Sequence, residues 1–475
     1  MSFLVYDLTF LVLFLVFSSI FLYTRKHNLK KEGLLFLYKT SWGIKLINKI
    51  GNRYKKTLKV LSYVSITCGY ILMAGILYLI FSIVKIYMFN PSVVRVIKVP
   101  PILPLFPYIP QIFNLDFLPP FYFTYWIVIL AIIAITHEMA HGIFAAYDKV
   151  KIKTTGFGFF PFFLPIFLAA FVELDEKKMA KKPKFSQLTI LSAGTFANVL
   201  TAILFFAVLW LFFSLAFAPT GVVFDNYATS TIAVAGISSV NGFSVFNPTY
   251  DKLIELTNDV GTSEIKVQNK SYLVTKEVVE SQIENDGSIF VYNSAPAIKS
   301  NLSSIILEVN GVKIDSIEKL TTELQGYSPG DEVIVKTKIG EGFEEKRIVL
   351  EEHPSKPGNA WLGVGFVNQE RTGIVGGIVS KLSSFKKPGI FYEPKLDGIS
   401  VFIYHMLWWI VLISISVALM NMLPVGIFDG GRFFYLTVLG LTKSEKIAKR
   451  AFAFSTYFFL FILLLLMAFW AFRVF

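Results

Sequence analysis

Two histidines four residues apart with a glutamate beside the first, His137-Glu138-Met139-Ala140-His141, are the residues of this chain best suited to chemistry. On a helix, positions i and i+4 share a face, so both imidazoles can hold one metal ion while the Glu138 carboxylate serves a water beside it. The chemistry implied is metal-assisted hydrolysis. Two histidines leave a catalytic zinc one protein ligand short, because such sites use three and keep one position open.

The five residues sit within an apolar stretch, Phe121 to Tyr147. An ionised group at mid-bilayer costs about 2.5–3.5 kcal/mol, so burying these groups requires a compensating role. Polar pairing between helices is the plain alternative, and it fits a lone histidine better than this spacing. The third ligand should lie at the same depth. Asp429 is the best candidate, in Asn421-Met-Leu-Pro424-Val-Gly426-Ile-Phe428-Asp429-Gly430-Gly431-Arg432, where Pro424 and Gly426 interrupt a helix and let the backbone aim a carboxylate inward. The other reading of Asp429 is a solvated turn residue at the end of a span.

The elements that must position these groups follow from composition. With 54% apolar residues and 48 Phe, the chain reads as a polytopic α-helical membrane protein. Six segments are long enough to cross the hydrocarbon: 3–23, 60–84, 121–147, 188–217, 399–423 and 451–475. The first lacks a basic start and a cleavage site, and reads as a retained anchor. Residues 24–59 carry eleven Lys or Arg against Glu32 alone, which places that loop in the cytoplasm. By alternation, His137 and His141 lie toward the cytoplasmic end of the third span, Pro91 to Pro120 lies outside, and the basic loop from Lys443 to Arg450 lies inside. The net charge of +12 then belongs to helix ends beside anionic lipid, and no nucleic-acid partner is expected. The single cysteine, Cys68, excludes an intramolecular disulfide and a cysteine-based zinc site.

Residues 218–398 are polar and strand-like. Ser328-Pro329-Gly330-Asp331 precedes the alternating Val333, Val335 and Thr337, and a helix is expected from Asp315, with Glu318 completing a capping box and Ile317, Leu320 and Leu324 buried. Two phrases, Gly236 to Gly242 and Ile306 to Gly311, each end a short apolar strand in an Asn-Gly turn. The second resembles the turn of PDZ domains, so one inserted extracytoplasmic β-rich PDZ-like domain is expected, and whether the first phrase marks a second partial copy stays open.

His137-Glu138-x-x-His141 together with Asn421-x-x-Pro424 and Asp429-Gly430 resembles the site-2 protease family of intramembrane zinc metalloproteases. The resemblance implies Zn2+ held by His137, His141 and Asp429, with Phe428 where the family has Leu, and Glu138 as general base. Gly194-Thr195-x-x-Asn198 matches a further family motif except for Thr195 in place of Pro. Asn421, Asn198, Gly156 and Gly158 are the expected substrate-positioning residues. Gly156 and Gly158 open an apolar run to Val172 that looks like the family's re-entrant hairpin, whose extended backbone could pair with an unwound substrate.

The expected domains are 1–90 (two helices and the basic loop), 91–217 (first part of the catalytic core), 218–398 (the PDZ-like domain) and 399–475 (second part of the core). The expected partners are single-span membrane proteins and the lipid bilayer, in the cell membrane. Two other classes stay open: a divalent-metal transporter, which also places His and Asp near broken helices, and a PDZ scaffold without proteolysis.

Overall fold

A computed structural model describes residues 3–32, 35–89, 100–101, 103, 105–115, 117–159, 168–268, 270–282, 287–340, 342–366, 377, 380 and 383–474. The chain divides into two compact units, Met1–Leu211 with Phe402–Phe475, and Phe212–Val401.

The first unit is built on helices: α1 Phe3–Thr24, α2 Ile44–Arg53, α3 Lys55–Phe89, α4 Phe123–Tyr147, α5 Lys184–Ala216, α6 Asp397–Asn421, α7 Asp429–Thr442 and α8 Glu445–Val474. All except α2 and α7 are long and apolar enough to cross a membrane, which matches the six expected segments. Lipid is as apolar as leucine, so such helices associate through close packing and hydrogen bonds. Ser65 on α3 and Ser192 on α5 bond at 2.8 Å with both side chains buried. Gly51 on α2 sits where a Cβ would press on Ala146 and the Ile143 carbonyl of α4.

Helix α1 packs Phe3, Phe10 and Phe14 on the start of α4 and its neighbours, and one carboxylate supplies its polar anchor. Apart from Ser18, its buried residue is Asp7, 1% exposed. The first amides of α4 have no side-chain cap from Tyr122. Asp7 supplies the missing acceptors: Phe123 N–H and Thr124 N–H donate to it at 2.8 and 2.9 Å, and the hydroxyls of Thr124 and Tyr108 donate at 2.5 and 2.6 Å. A carboxylate at a helix N-terminus is also favoured by the helix dipole. The capped helix is the one that carries His137, Glu138 and His141.

A four-stranded antiparallel sheet flanks α4, in the order β1 (Leu29–Glu32), β2 (Leu35–Thr40), β3 (Ile152–Phe159) and β4 (Leu168–Leu174). The basic segment expected as a loop therefore contributes two strands and α2. Lys30 stands opposite Leu37 and Lys31 opposite Phe36 in that hairpin, so basic and apolar residues are mixed along both strands, and the count of lysines concealed the strand pattern. The expected re-entrant run is the β3–β4 pair, with residues 160–167 outside the described residues. Lys39 of β2 donates to Glu173 of β4 at 2.9 Å across β3, and Thr154 of β3 donates to the same carboxylate at 2.8 Å. The Lys39 hydrogen bond and that of Thr154 hold the Glu173 carboxyl below its ordinary value.

Helix α7 was not expected. The short basic loop is replaced by its end at Lys443 and by the first turns of α8, where Glu445 pairs with Lys449. Of the Pro-rich segment, residues 91–99, 102, 104 and 116 lie outside the described residues.

The second unit contains two β-rich cores built on the same plan. The first runs Ile237–Val240, Asn241-Gly242, Phe243–Ser244, a helix Tyr250–Leu256, then Ser263–Val267 and Lys270–Val274. The second runs Ile305–Val309, Asn310-Gly311, Val312–Lys313, a helix Ile317–Leu324, then Glu332–Ile339 and Gly342–Val349. Asn241 and Asn310 are both left-handed, at φ 50° and 47°. Each clamps a partner strand in the same way: Asn241 N–H donates to Glu264 O and its Oδ1 accepts from Glu264 N–H, while Asn310 does so with Ile334. Val333, Val335 and Thr337 are buried as their alternation predicts. The helix begins one residue later than expected, capped by Ser316, whose hydroxyl accepts from Lys319 N–H.

Asp7→Ala leaves two helix-terminal amides and two hydroxyls without their acceptor, and we expect stability to fall by about 1–3 kcal/mol or more. Thermal unfolding in detergent measures it. A midpoint equal to that of the unaltered chain would show that Asp7 does not anchor α1.

Candidate metal centre

His137 and His141 stand one turn apart on α4, both nearly buried. Their Nε2 atoms lie 3.0 Å apart, and each is 3.3 Å from Oδ2 of Asp429. Four ligands placed about 2.0–2.1 Å from a tetrahedral ion stand about 3.3–3.4 Å apart, so this triangle has the dimensions of a zinc site. The three expected ligands are thus brought together, close enough to bind a metal ion.

The hydrogen bonds around the imidazoles support the same reading. Nδ1 of His141 is 2.6 Å from the Ile190 carbonyl, which can only accept, so the proton of His141 sits on Nδ1 and Nε2 presents a lone pair. Nδ1 of His137 is 3.1 Å from the side-chain amide of Asn198. Oδ1 of Asn198 has no partner, so nothing opposes the amide orientation in which that oxygen accepts a proton from His137 Nδ1. Both Nε2 lone pairs then face the Asp429 carboxylate. Three acceptors at this separation repel one another, and a cation among them relieves the repulsion.

Local backbone explains how Asp429 arrives. Helix α6 ends at Asn421, residues 422–428 form a tight irregular turn, and α7 starts at Asp429. The turn is buried through Met422, Leu423 and Val425. Gly430 and Gly431 lie so close to the backbone of Met422, Leu423 and Val425 that a Cβ at either position would collide with it. The expected break at Pro424 and Gly426 is present, and Asp429 begins a further helix where the alternative reading had a solvated turn.

Glu138 lies beside the triangle, and its Oε2 accepts from the Val172 N–H of β4 at 2.9 Å. It therefore reaches the site in a fixed orientation. Val172 escaped the sequence reading because a backbone amide leaves no signature in residue type.

The four residues expected to position substrate fall in different places. Asn421 lines a cavity of about 600 Å³ shared with His137, Glu138, His141, Asp429 and Arg432. Asn198 is fully buried behind His137, so its contact is with the ligand. Gly194, one turn before it, faces the same imidazoles, and a Cβ there would overlap His141 Nε2 and the His137 ring. Gly156 and Gly158 belong to β3, paired on both sides by β2 and β4, and present no free edge. Gly156 is required because a Cβ would collide with the Tyr38 carbonyl. Among the described strands β4 is the edge of the sheet on the side of Glu138. His27, His353 and His405 lie outside the triangle, as expected.

Replacing Asn198 with Ala should weaken zinc binding about 10- to 100-fold, because the partner that fixes the tautomer and ring of His137 is lost. Competition with a chelator of known affinity gives the constant. Unchanged affinity would mean that Asn198 does not orient the ligand.

Comparison with known proteins places this geometry. A region of the "Zinc metalloprotease RasP" from Shouchella clausii (strain KSM-K16) is 24% identical to this chain over 174 residues, covering 31% of this chain and 41% of that protein. The match thus spans less than half the length of that relative. The model of Peptidase family M50 matches residues 125–466, which include both histidines, Glu138 and Asp429. With that match over most of its length and six helices fit to cross a bilayer, the chain is an integral membrane protein that belongs to Peptidase family M50, the site-2 protease family.

Proposed function

We propose that this protein is a zinc-dependent intramembrane endopeptidase that cuts transmembrane segments of other membrane proteins. One observation carries the reading: three donor atoms 3.0–3.3 Å apart converge beside a carboxylate held by a backbone amide, on helices of membrane-spanning length. The role taken for His137, His141 and Asp429 is to hold Zn2+, and that of Glu138 is to act as base.

His137, His141 and Asp429 would hold the zinc, which would supply Lewis acidity to a carbonyl and lower the pKa of a water toward about 7. Glu138 takes the proton of the attacking water and hands it to the amine as the peptide bond breaks. His141, locked by Ile190, and His137, locked by Asn198, keep their Nε2 atoms aimed while this happens. Asn421, on the wall of the polar cavity, is placed to bond the substrate backbone.

A transmembrane helix buries its carbonyls in its own hydrogen bonds, so a substrate must unwind before it can react. The outer edge of β4, which no other described strand pairs, offers an unwound segment replacement hydrogen bonds by strand addition. Residues Ala170 and Val172 direct their backbone groups toward that edge, since Val172 N–H already points off the sheet to Glu138. A metal transporter would have no use for a carboxylate held there.

The two Asn-Gly modules of the second unit are read as PDZ-like domains outside the membrane, with the metal centre toward the cytoplasmic side. They act as a size filter that admits substrates already trimmed, which is the logic of regulated intramembrane proteolysis. The released fragment would be cytoplasmic.

Glu138→Gln should retain about one zinc per chain and lose about 10²- to 10⁴-fold of its cleavage rate on a single-span substrate in detergent. Cleavage that survives the substitution removes Glu138 as base. The size filter is checked by comparing one substrate with and without a folded domain on its outer side. The trimmed form should be cut faster, and equal rates would exclude filtering.

A further inference from the structure

A second cavity meets the metal centre at Glu138. It has a volume of about 310 Å³ and lies between α2, α4 and the sheet. Ile47, Ile135, Met139, Phe157, Ala170 and Phe171 give it a largely apolar lining. Glu138 and Val172 line both this cavity and the polar one that holds His137, His141 and Asp429, so the bonded pair forms a shared wall. For scale, an apolar cavity of about 150 Å³ accepts benzene. This one has room for a side chain as large as Phe.

The reaction geometry says which side chain. Glu138 must reach the attacking water and then the leaving nitrogen, so that nitrogen has to lie on the Glu138 side of the scissile carbonyl. The Cα of the residue supplying the nitrogen is one bond further on, and its side chain starts beside the shared wall. An extended segment added along β4 directs alternate side chains to opposite faces of the sheet, so one of them can turn into the cavity.

We propose that this cavity is a specificity pocket for a large apolar side chain, Leu, Met or Phe, on the substrate residue that becomes the new N-terminus after cleavage. The inference rests on the protease reading above. It identifies Ala170 and Met139 as residues that set the size of the pocket: a larger side chain at 170 narrows it, and a smaller one at 139 widens it. Neither holds the metal or the proton.

The test uses the full-length chain in detergent and a single-span substrate whose cut site has been mapped by mass spectrometry. The residue after the cut is then varied through Gly, Ala, Leu, Met, Phe and Trp, and in a parallel series the residue before it. Rates and new N-termini are measured for the unaltered chain, Ala170→Leu and Met139→Ala, with zinc content and thermal midpoint as checks on folding.

The expected result is a preference of tenfold or more for Leu, Met or Phe over Gly after the cut. Ala170→Leu should shift that preference toward Ala, and Met139→Ala toward Trp, both with zinc retained. Rates indifferent to the residue after the cut, or a preference found before it, overturn the assignment. So does a preference unchanged in both zinc-loaded variants, which would leave the cavity to a lipid chain. If the unaltered, zinc-loaded chain cuts no member of either series, the protease reading fails and takes this inference with it.

Discussion

Three acceptor atoms held about 3 Å apart inside an apolar helix bundle repel one another unless a cation sits among them, and the membrane-embedded unit is organised around that constraint. The histidines come from one helix, so their spacing is set by the turn of α4. The aspartate comes from another, more than 280 positions along the chain, and must be delivered. A straight helix cannot do that with its carboxylate at the same depth. The chain instead ends α6 at Asn421, folds tightly over Gly430 and Gly431, and begins α7 on the ligand itself. Irregular backbone at membrane depth is tolerated only where protein or a water-filled cavity covers it. Here Met422, Leu423 and Val425 are buried, and the polar cavity lies on the other side.

The same constraint explains polar residues far from the metal. A buried carboxylate in a membrane helix is costly unless its lone pairs are filled, and Asp7 fills them with the start of α4. The helix that carries the metal site is thereby held at both ends of its apolar length: by Asp7 at its first turn, and near its last by α2, which lies against Ala146 and Gly142 through Gly51 and Ile47. Depth and rotation of His137 and His141 relative to Asp429 are fixed by these contacts. Small errors would matter, since the ligand atoms must agree to a few tenths of an ångström.

What could be read from residue types was what depends on spacing within one element. The H-E-x-x-H pair follows from the pitch of a helix, the six spans from length and apolarity, and the buried Val333, Val335 and Thr337 from the pitch of a strand. Asp429 was reachable because Pro424 and Gly426 mark a broken helix. Asp7 carried a usable signal, an acid within an apolar span, but its partners are backbone amides more than a hundred residues away and invisible in the sequence. Strands β1 and β2 were hidden because their apolar residues, Leu29, Phe36 and Leu37 among them, are interleaved with lysines that suggest a solvated loop. Asn198 and Gly194 were found as a pair, but their role against the imidazoles becomes evident only when α5 lies on α4.

The bond between Glu138 and Val172 links substrate binding to chemistry. The amide that orients the base belongs to the edge strand, on the side where a substrate strand would add. An incoming segment that pairs with Ala170 must stop short of Val172 or compete with Glu138 for the same proton. If it stops short, the strand ends where the metal centre begins, and the first unpaired peptide of the substrate is the one presented to the three ligands. If it competes, Glu138 is released as the substrate docks, and the base becomes free only when there is a bond to cut. Either way the extended edge and the base act on the same stretch of substrate. That coupling requires β4 to stay fixed within its sheet, which is what the Lys39, Thr154 and Glu173 contacts across the strands secure.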